Sequence, residues 1–422
     1  MKQAGRISAS IEIITEIFTR NRPASEALRD WGKSHRFAGS TDRHVIGTLV
    51  YDCLRNKNYA AAQAGSNAPR GLVLGTLVNV WKLSADEIDV LCAEQFGAGA
   101  LSAAESKALA TPLTAPADHI VGNFPQWLTP QLTAAFGSNL VAEMQALAQR
   151  APIDLRVNTL KATRDQVLDG FAKFNAVATP LSPMGIRITA PGIEARNINV
   201  EAEPAHGMGQ FEVQDEASQL AALIAAPKPG QQVLDLCAGA GGKSLALAAL
   251  MQNQGRLVAH DRDKHRLRPI FERITRAGAS CIEVIAADEQ HKLARKEGYD
   301  LVVVDAPCTG SGTWRRKPDA KWRLGEKQLQ VRLNEQAAVL AQAAPLVKKG
   351  GKLAYFTCSI LPAENRDQVQ NFLKAHSAFK LVPYMQRWSG APVSADGDKN
   401  TLQLTPHQHN TDGFFVAVME RV

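Results

Sequence analysis

At 422 residues the chain exceeds the usual size of one hydrophobic core, which points to two or three domains. Its composition, 45% apolar and 21% charged, is that of a soluble globular protein, and no apolar run approaches the roughly 20 residues that span a bilayer. A formal charge of +7 is compatible with a polyanionic partner, although many proteins with such an excess bind none.

The amino terminus, MKQAGRISASIEIITEIFTR, sets Glu12 and Glu16 into an amphipathic period and lacks the apolar stretch of a secretion signal, so a cytoplasmic protein is expected. Helical spacing runs from Ile7 to about Leu109, as in Ile46, Leu49, Val50, Cys53 and Leu54 after the cap candidate Thr41. Ser84 and Glu87 read as a capping box. This predicts an all-helical domain over 1–115, closed by the proline-containing stretch 111–125, and a fragment beginning near Asp118 that folds without it.

A further helical segment, LTAAFGSNLVAEMQALAQ, is followed by short β-prone runs: DLRVNTLK, the segment around GIRIT, and FEVQDEAS, with a helix near Arg164 to Phe174. Together they predict a small α+β unit over 126–215. From Gln231 apolar strands alternate with helices: QVLDLC, GRLVAHD, CIEVIAAD, DLVVVDAP, KLAYFTC and finally DGFFVAVME. That alternation predicts a doubly wound, mostly parallel α/β sheet over 216–422, with a long loop from about 384 to 412.

The first strand of this sheet runs into Cys237-Ala238-Gly239-Ala240-Gly241-Gly242-Lys243 and then an apolar helix. Ligands of open α/β sheets sit beyond the carboxyl ends of strands, where glycines admit the ligand to the backbone and a helix start offers free N–H groups. A tight turn without a ligand is the plain alternative. The next strand ends at Asp261, placed to accept hydrogen bonds from ribose hydroxyls, and a third acidic strand end, Asp288, is placed to receive an adenine amino group. For Asp288 a helix cap is the plain alternative. The glycines fit neither G-x-G-x-x-G nor the P-loop.

The six cysteines, Cys53, Cys92, Cys237, Cys281, Cys308 and Cys358, include no CxxC pair, which argues against zinc and against a disulfide framework. His407 and His409 have no cysteine or acidic neighbour, so no metal is expected there either. Cys308, in Asp305-Ala-Pro-Cys, and Cys358, in Thr-Cys-Ser, stand after the fourth and fifth strands and face the same cleft; the others read as small buried hydrophobes or as part of the glycine-rich loop. One reaction that demands such a thiol is methylation of cytosine at carbon 5, which is a poor nucleophile until a thiolate adds to carbon 6. A second polar group is then needed to help remove the carbon 5 proton, and Asp305 is placed to hold the base by its amine and ring nitrogen. Chemistry alone leaves open which thiol attacks, because a Pro-Cys dipeptide supplies the nucleophile in DNA cytosine-5 methyltransferases.

The motifs DLCAGAGGK, DAPCTGSG and FTCS, the acidic strand ends, and LRVNTLK and FEVQDEAS upstream closely resemble the RsmB/NOP/Sun family of RNA cytosine-5 methyltransferases over about 150–420. The resemblance implies a Rossmann-like class I methyltransferase sheet, S-adenosylmethionine as cofactor, Cys358 as the nucleophile and Cys308 as the thiol that assists release. It also implies that Cys237 to Lys243, Asp261, Asp288 and Asp305 form the cofactor site. This chain has Gly239-Ala240 where that family usually has Ala-Pro, which preserves access to the backbone and alters only local geometry.

For RNA, the segment after Cys308 interleaves Arg315, Arg316, Lys317, Lys321 and Arg323 with Trp314 and Trp322, a pattern suited to phosphates and unpaired bases. A solvated basic loop with its tryptophans packed inward is the alternative. Arg156, Asn158 and Lys161 lie on what the resemblance makes an RNA-recognition-like extension. The amino-terminal helices resemble, by architecture alone, the NusB-like RNA-binding domain fused to a bacterial 16S rRNA methyltransferase of that family. These readings favour a monomeric rRNA methyltransferase, with the same chemistry on tRNA and a non-catalytic ribosome-assembly factor as rivals.

Overall fold

A computed structural model describes residues 1–190, 192 and 198–422. Seven helices, from Gln3–Arg20 to Ala103–Ala110, form the amino-terminal part around a core that includes Ile7, Ile13, Leu49, Leu54, Leu72 and Leu77. The Ser84 capping box is present, with the Glu87 N–H donating to Ser84 Oγ at 3.2 Å and the Ser84 N–H to Glu87 Oε2 at 2.7 Å. The third helix, Ser40–Arg55, starts one residue before the cap candidate, so Thr41 lies in its first turn behind Gly39.

The helices Thr129–Phe136 and Leu140–Leu147 open the stretch assigned to the small α+β unit. Their apolar residues, Leu132, Phe136, Leu140 and Met144, share a core with Trp314, Leu329, Ile360 and Leu361 of the large α/β part. The small unit itself is a four-stranded antiparallel sheet of β1 (Ile153–Val157), β2 (Val177–Ala178), β3 (Gly185–Ile188) and β4 (Phe211–Val213), ordered β2-β3-β1-β4. The helix Arg164–Gly170 buries Val167 against it, beside Leu155, Ile186 and Phe211.

The large sheet comprises β5 (Gln232–Asp235), β6 (Arg256–His260), β7 (Ile282–Ile285), β8 (Tyr299–Asp305), β9 (Val347–Thr357), β10 (Phe379–Val382), β11 (Leu402–Leu404) and β12 (Phe414–Arg421). Its order is β10-β12-β9-β8-β5-β6-β7, with β11 paired to β12. β5 to β9 run parallel, and β12 enters antiparallel between β9 and β10. Helices cover both faces: Leu220, Leu245 and Ile270 pack on one, and Leu340, Val369 and Phe372 on the other. Burial on both sides explains why β8 reads as the continuous run LVVV instead of an alternation.

Between 384 and 412, where a long loop is expected, the chain forms the helix Tyr384–Arg387, strand β11 and the helix Pro406–His409. These elements are too short to carry a periodic signal; they are fixed by tertiary partners, as when Gln403 Nε2, fully enclosed, donates to the carbonyl of Phe414 at 3.2 Å. Among the described residues no helix is long and apolar enough to cross a membrane.

Candidate active site

The chain leaves β5 at Asp235 and turns sharply into the helix Gly242–Leu250. The Ala238 N–H ties the turn to the carbonyl of His260 on β6 at 2.9 Å, and Gly241 adopts φ +84°, where a Cβ would stand 2.4 Å from Ile270 Cγ1. Glycine is therefore required there for both backbone and space. Where the family pattern has a proline, the carbonyl of Ala240 accepts Arg273 at 2.8 Å, so a side-chain hydrogen bond braces the turn.

Asp261, buried at the end of β6, accepts the Gly239 N–H at 2.9 Å and the Asp263 N–H at 2.9 Å. A carboxylate offers about four lone-pair sites, so two remain after these bonds, with the Arg266 guanidinium 3.6 Å from Oδ2. Asp261 lines a cleft with Leu236, Cys237, His260, Gln290 and Pro307. Asp288, on the turn Ala287–Leu293, is exposed, and Gln290 stands in the cleft wall where Asp288 is expected. The reason is local: the chain enters a tight turn immediately after β7, and the turn brings the later residue to the cleft.

Asp235 accepts the Ser244 hydroxyl at 2.7 Å, while its second oxygen is buried without a partner. Burial, with Asp305 adding repulsion, pushes Asp235 up to about 7. Lys243, itself buried, extends from the first turn of the helix to donate to Asp305 Oδ2 at 2.7 Å, with its ammonium 4.8 Å from the centre of the Phe414 ring. An ion pair so tied to an aromatic face fixes the carboxylate at the mouth of the site.

β8 and β9 are parallel neighbours, with Asp305 opposite Phe356, so the segments bearing Cys308 and Cys358 leave the sheet at the same end. The two sulfurs stand 3.3 Å apart. The loops are laced together: the Gly312 N–H donates to the Cys358 carbonyl at 3.0 Å, and the hydroxyls of Ser311 and Ser359 meet at 2.9 Å. A Cβ on Gly312 would fall 1.9 Å from the carbonyl oxygen of Gly413, so only glycine permits this approach. The hydrogen bond with Cys358, then burial, holds the Cys308 thiol well above its usual range. Cys237 is raised as well, by burial and by Asp235, Asp305 and Asp261, which keeps its sulfur an unreactive thiol at the cleft wall.

Of the basic residues expected on RNA, most turn inward to protein partners, whereas Lys317 is exposed and Arg316 partly so. Arg156 is buried and donates to Gln214 and, at 2.7 Å, to the Gly242 carbonyl, bracing the glycine-rich turn; burial lowers it to about 10. Asn158 donates to the carbonyls of Gly209 and Ala277, and Lys161 Nζ to those of Met208 and Arg276, so both tie the small unit to the end of the helix Ile270–Ala277. Arg315 is buried between Asp412 and Asp215; Arg316 pairs with the same two carboxylates but remains partly exposed. Arg323 pairs with Asp319 at 2.7 Å, and Lys317 is exposed. Lys321 is buried, its ammonium 3.3 Å from the Arg55 carbonyl. Trp314 is buried, and Trp322 donates to the Leu54 carbonyl at 2.6 Å. The helix Ser40–Arg55 ends in unpaired carbonyls, and Lys321 and Trp322 satisfy two of them.

Charge that the sequence scatters is gathered instead in a cleft of about 470 Å3 between the amino-terminal helices and the rest. Arg43, His44, Arg55, Arg150, Arg315 and Arg316 line it beside Tyr51; behind the lining Asp52 pairs with Arg55 and Arg150, and Asp215 and Asp412 pair with Arg315 and Arg316, while among the described residues Arg43 forms no ion pair. Two further polar residues escape the sequence reading. Glu364 and Asn365, after Cys358, bind the cysteine loops from behind; an acid before a helix reads only as a cap.

The model of the family "16S rRNA methyltransferase RsmB/F" matches residues 222–420, and that of the RsmF/B-like ferredoxin-like domain matches 124–193. The ribosomal RNA small subunit methyltransferase B of Shewanella oneidensis is 34% identical over 310 residues, 73% of this chain and 69% of its own. The chain belongs to the RsmB/F methyltransferase family. A probable member from Synechocystis is 33% identical over 71% of this chain and 67% of its own. Among solved structures, that of PH0851 covers 100% of this chain and 99% of its own at 27% identity and a TM-score of 0.77. A methyltransferase homolog from Pyrococcus horikoshii covers 72% of this chain and 98% of its own at 26% identity and a TM-score of 0.59. In this RsmB/F methyltransferase, then, β1 to β3 and the two helices before them fall within the ferredoxin-like match, β4 lies beyond it, and the sheet of β5 to β12 corresponds to the methyltransferase match.

Proposed function

We propose that this chain, acting as a cytoplasmic monomer, methylates carbon 5 of a cytosine in 16S rRNA, with S-adenosylmethionine as methyl donor, Cys358 as nucleophile and Cys308 as the thiol that assists release. The observation that carries this reading is the pair of sulfurs 3.3 Å apart at the ends of adjacent strands, beside the Lys243–Asp305 pair and the glycine-rich turn.

The residues present suit the donor: Gly241 leaves the backbone bare, Asp261 keeps free lone pairs in a cleft wall, and Asp235 has an unpartnered buried oxygen. Asp261 and Gln290 would hold the adenosine and the turn from Cys237 to Lys243 the amino-acid end. S-adenosylmethionine supplies an electrophilic methyl carbon.

The Cys358 thiolate adds to carbon 6, forming the S–C6 bond and moving the C5=C6 electron pair toward carbon 5. Asp305 accepts from the exocyclic amine, and Lys243 holds its carboxylate in place. For release, Cys308 hands its proton to the departing Cys358 sulfur as it takes the proton from carbon 5. The S–C6 bond breaks, the C5=C6 bond re-forms and both thiols end protonated. A thiol held in its protonated form suits that role, and a non-catalytic assembly factor has no use for the pair.

The arginine-lined cleft is where the RNA backbone would lie, formed jointly by the amino-terminal helices and the segment after Cys308. Bisulfite sequencing of total RNA from cells with and without the gene tests the reading. One 16S cytosine should lose its protection; loss confined to a tRNA would move the substrate, and no loss in any RNA would overturn the activity.

A further inference from the structure

Behind the two cysteines lies one fully buried carboxylate. Glu364 Oε1 accepts the Thr309 N–H at 2.8 Å and Gln336 Nε2 at 2.9 Å, and its Oε2 accepts the hydroxyls of Thr309 and Ser359, each at 2.5 Å. Thr309 follows Cys308 and Ser359 follows Cys358, so both reactive loops hang on one side chain. The backbone of Glu364 is anchored in turn, its carbonyl accepting Tyr355 OH at 2.7 Å from within β9. Asn365 completes the brace: its Oδ1 accepts Thr357 Oγ1 at 2.5 Å and its Nδ2 donates to the Ser359 carbonyl at 3.0 Å. Among the described residues Glu364 forms no ion pair. An ion-pair partner is the usual means of holding a buried charge; here four donors take its place.

We propose that Glu364 is a positioning residue for the two-thiol site, a single carboxylate that holds the loops after Cys308 and Cys358 in register so that their sulfurs meet. The proposal rests on the reading of the site as a two-cysteine methyltransferase centre only for its consequence in catalysis; the placement of the sulfurs stands on the hydrogen bonds alone. The charge has a second effect in the same direction. Lying beside Cys308, it adds to the hydrogen bond with Cys358 and to burial in keeping Cys308 a thiol, the form that gives a proton to its neighbour. Position and protonation state are thus set by the same group.

The full-length chain with Glu364→Gln, Glu364→Ala, Thr309→Val or Ser359→Ala tests this by two readouts. The first, without RNA or cofactor, is the rate at which a diazenedicarboxamide oxidant closes a Cys308–Cys358 disulfide; the oxidant takes two electrons and two protons from the thiols and becomes a hydrazine. Wild type should close fast. Glutamine occupies the same volume, and both hydroxyls can turn to accept from its amide, so Glu364→Gln should close at nearly the wild-type rate while Cys308 alkylates faster near neutral pH. Glu364→Ala should close about 100-fold more slowly, the order of loss that follows a displacement of about 1 Å. The second readout is single-turnover methyl transfer, where Glu364→Ala should lower the rate at saturating RNA without changing RNA affinity. If the alanine variant does not fold, Thr309→Val and Ser359→Ala cut the two arms separately and each should slow closure. Closure and turnover at wild-type rates in the folded variants overturn the proposal. Slow closure in a protein that methylates no RNA overturns the reading of function and leaves the positioning role standing.

Discussion

Trp322 donates its indole N–H to the carbonyl of Leu54 at 2.6 Å, joining the segment after Cys308 to the end of an amino-terminal helix. Lys321 and the Arg55 side chain, which reaches the Arg315 carbonyl at 3.0 Å, make the same junction from both sides. The helices are thus docked on the large α/β part by Trp322, Lys321 and Arg55, and a fragment beginning near Asp118 would leave the partners of Arg55 and Lys321 bare. Such a fragment should melt lower than the full chain and show early proteolysis near 314–324. Trp322→Ala in the full chain should cost about 2 to 4 kcal/mol, toward the low end for a large aromatic that is only partly enclosed. Equal melting of fragment and full chain would show the docking to be dispensable.

The two thiols should be separable by trapping. With Cys308→Ala, Cys358 still attacks but release lacks its proton transfer, so a denaturation-resistant protein–RNA adduct should accumulate. Cys358→Ala should form neither adduct nor product. Gel electrophoresis after denaturation, with labelled RNA, reads both; adduct in the second variant and none in the first would exchange the roles.

Lys321 should give the protein a pH-dependent stability of unusual sign. Burial, aided by Arg55 and Lys57, lowers its folded value to about 7, below that of the unfolded chain. The unfolded state therefore binds more protons between about 7 and about 10.4, and stability contributed by this group rises with pH through that window. Below pH 7 the full penalty of the buried ammonium is present. Lys321→Met, of similar volume and uncharged, should raise the melting temperature more at pH 6 than at pH 9 and flatten the slope between them. Equal shifts at both pH values would mean that the ammonium is not penalised.

The arginine-lined cleft should be read in salt. Arg43 lines it and is exposed, so Arg43→Gln leaves the fold intact and removes one phosphate contact. The logarithmic salt slope of RNA affinity should fall by about 0.7 on single strands or 0.9 on duplex, with methyl transfer at saturating RNA unchanged. An unaltered slope would place the RNA elsewhere.

The local placement of the candidate site is legible in the sequence because its groups sit on consecutive residues. Strand, glycine turn and helix are encoded within 232–250, and Asp305 with Cys308, like Thr357 with Cys358, needs only a strand end to be placed. Repetition of that pattern along the chain determines a parallel sheet and hence that all these ends open on one side. Sequence alone does not decide what a charge faces. Lys321 and Arg156 look like an RNA surface until the Arg55 carbonyl and the Gly242 carbonyl arrive from residues as much as 266 positions away. The same holds in reverse for the cleft, whose arginines come from separate helices and loops, and for Glu364, whose donors lie on three different elements. Backbone turns are fixed by nearest neighbours; the fate of a buried charge is fixed by whichever distant group compensates its lost water, and only the tertiary structure brings that group to it.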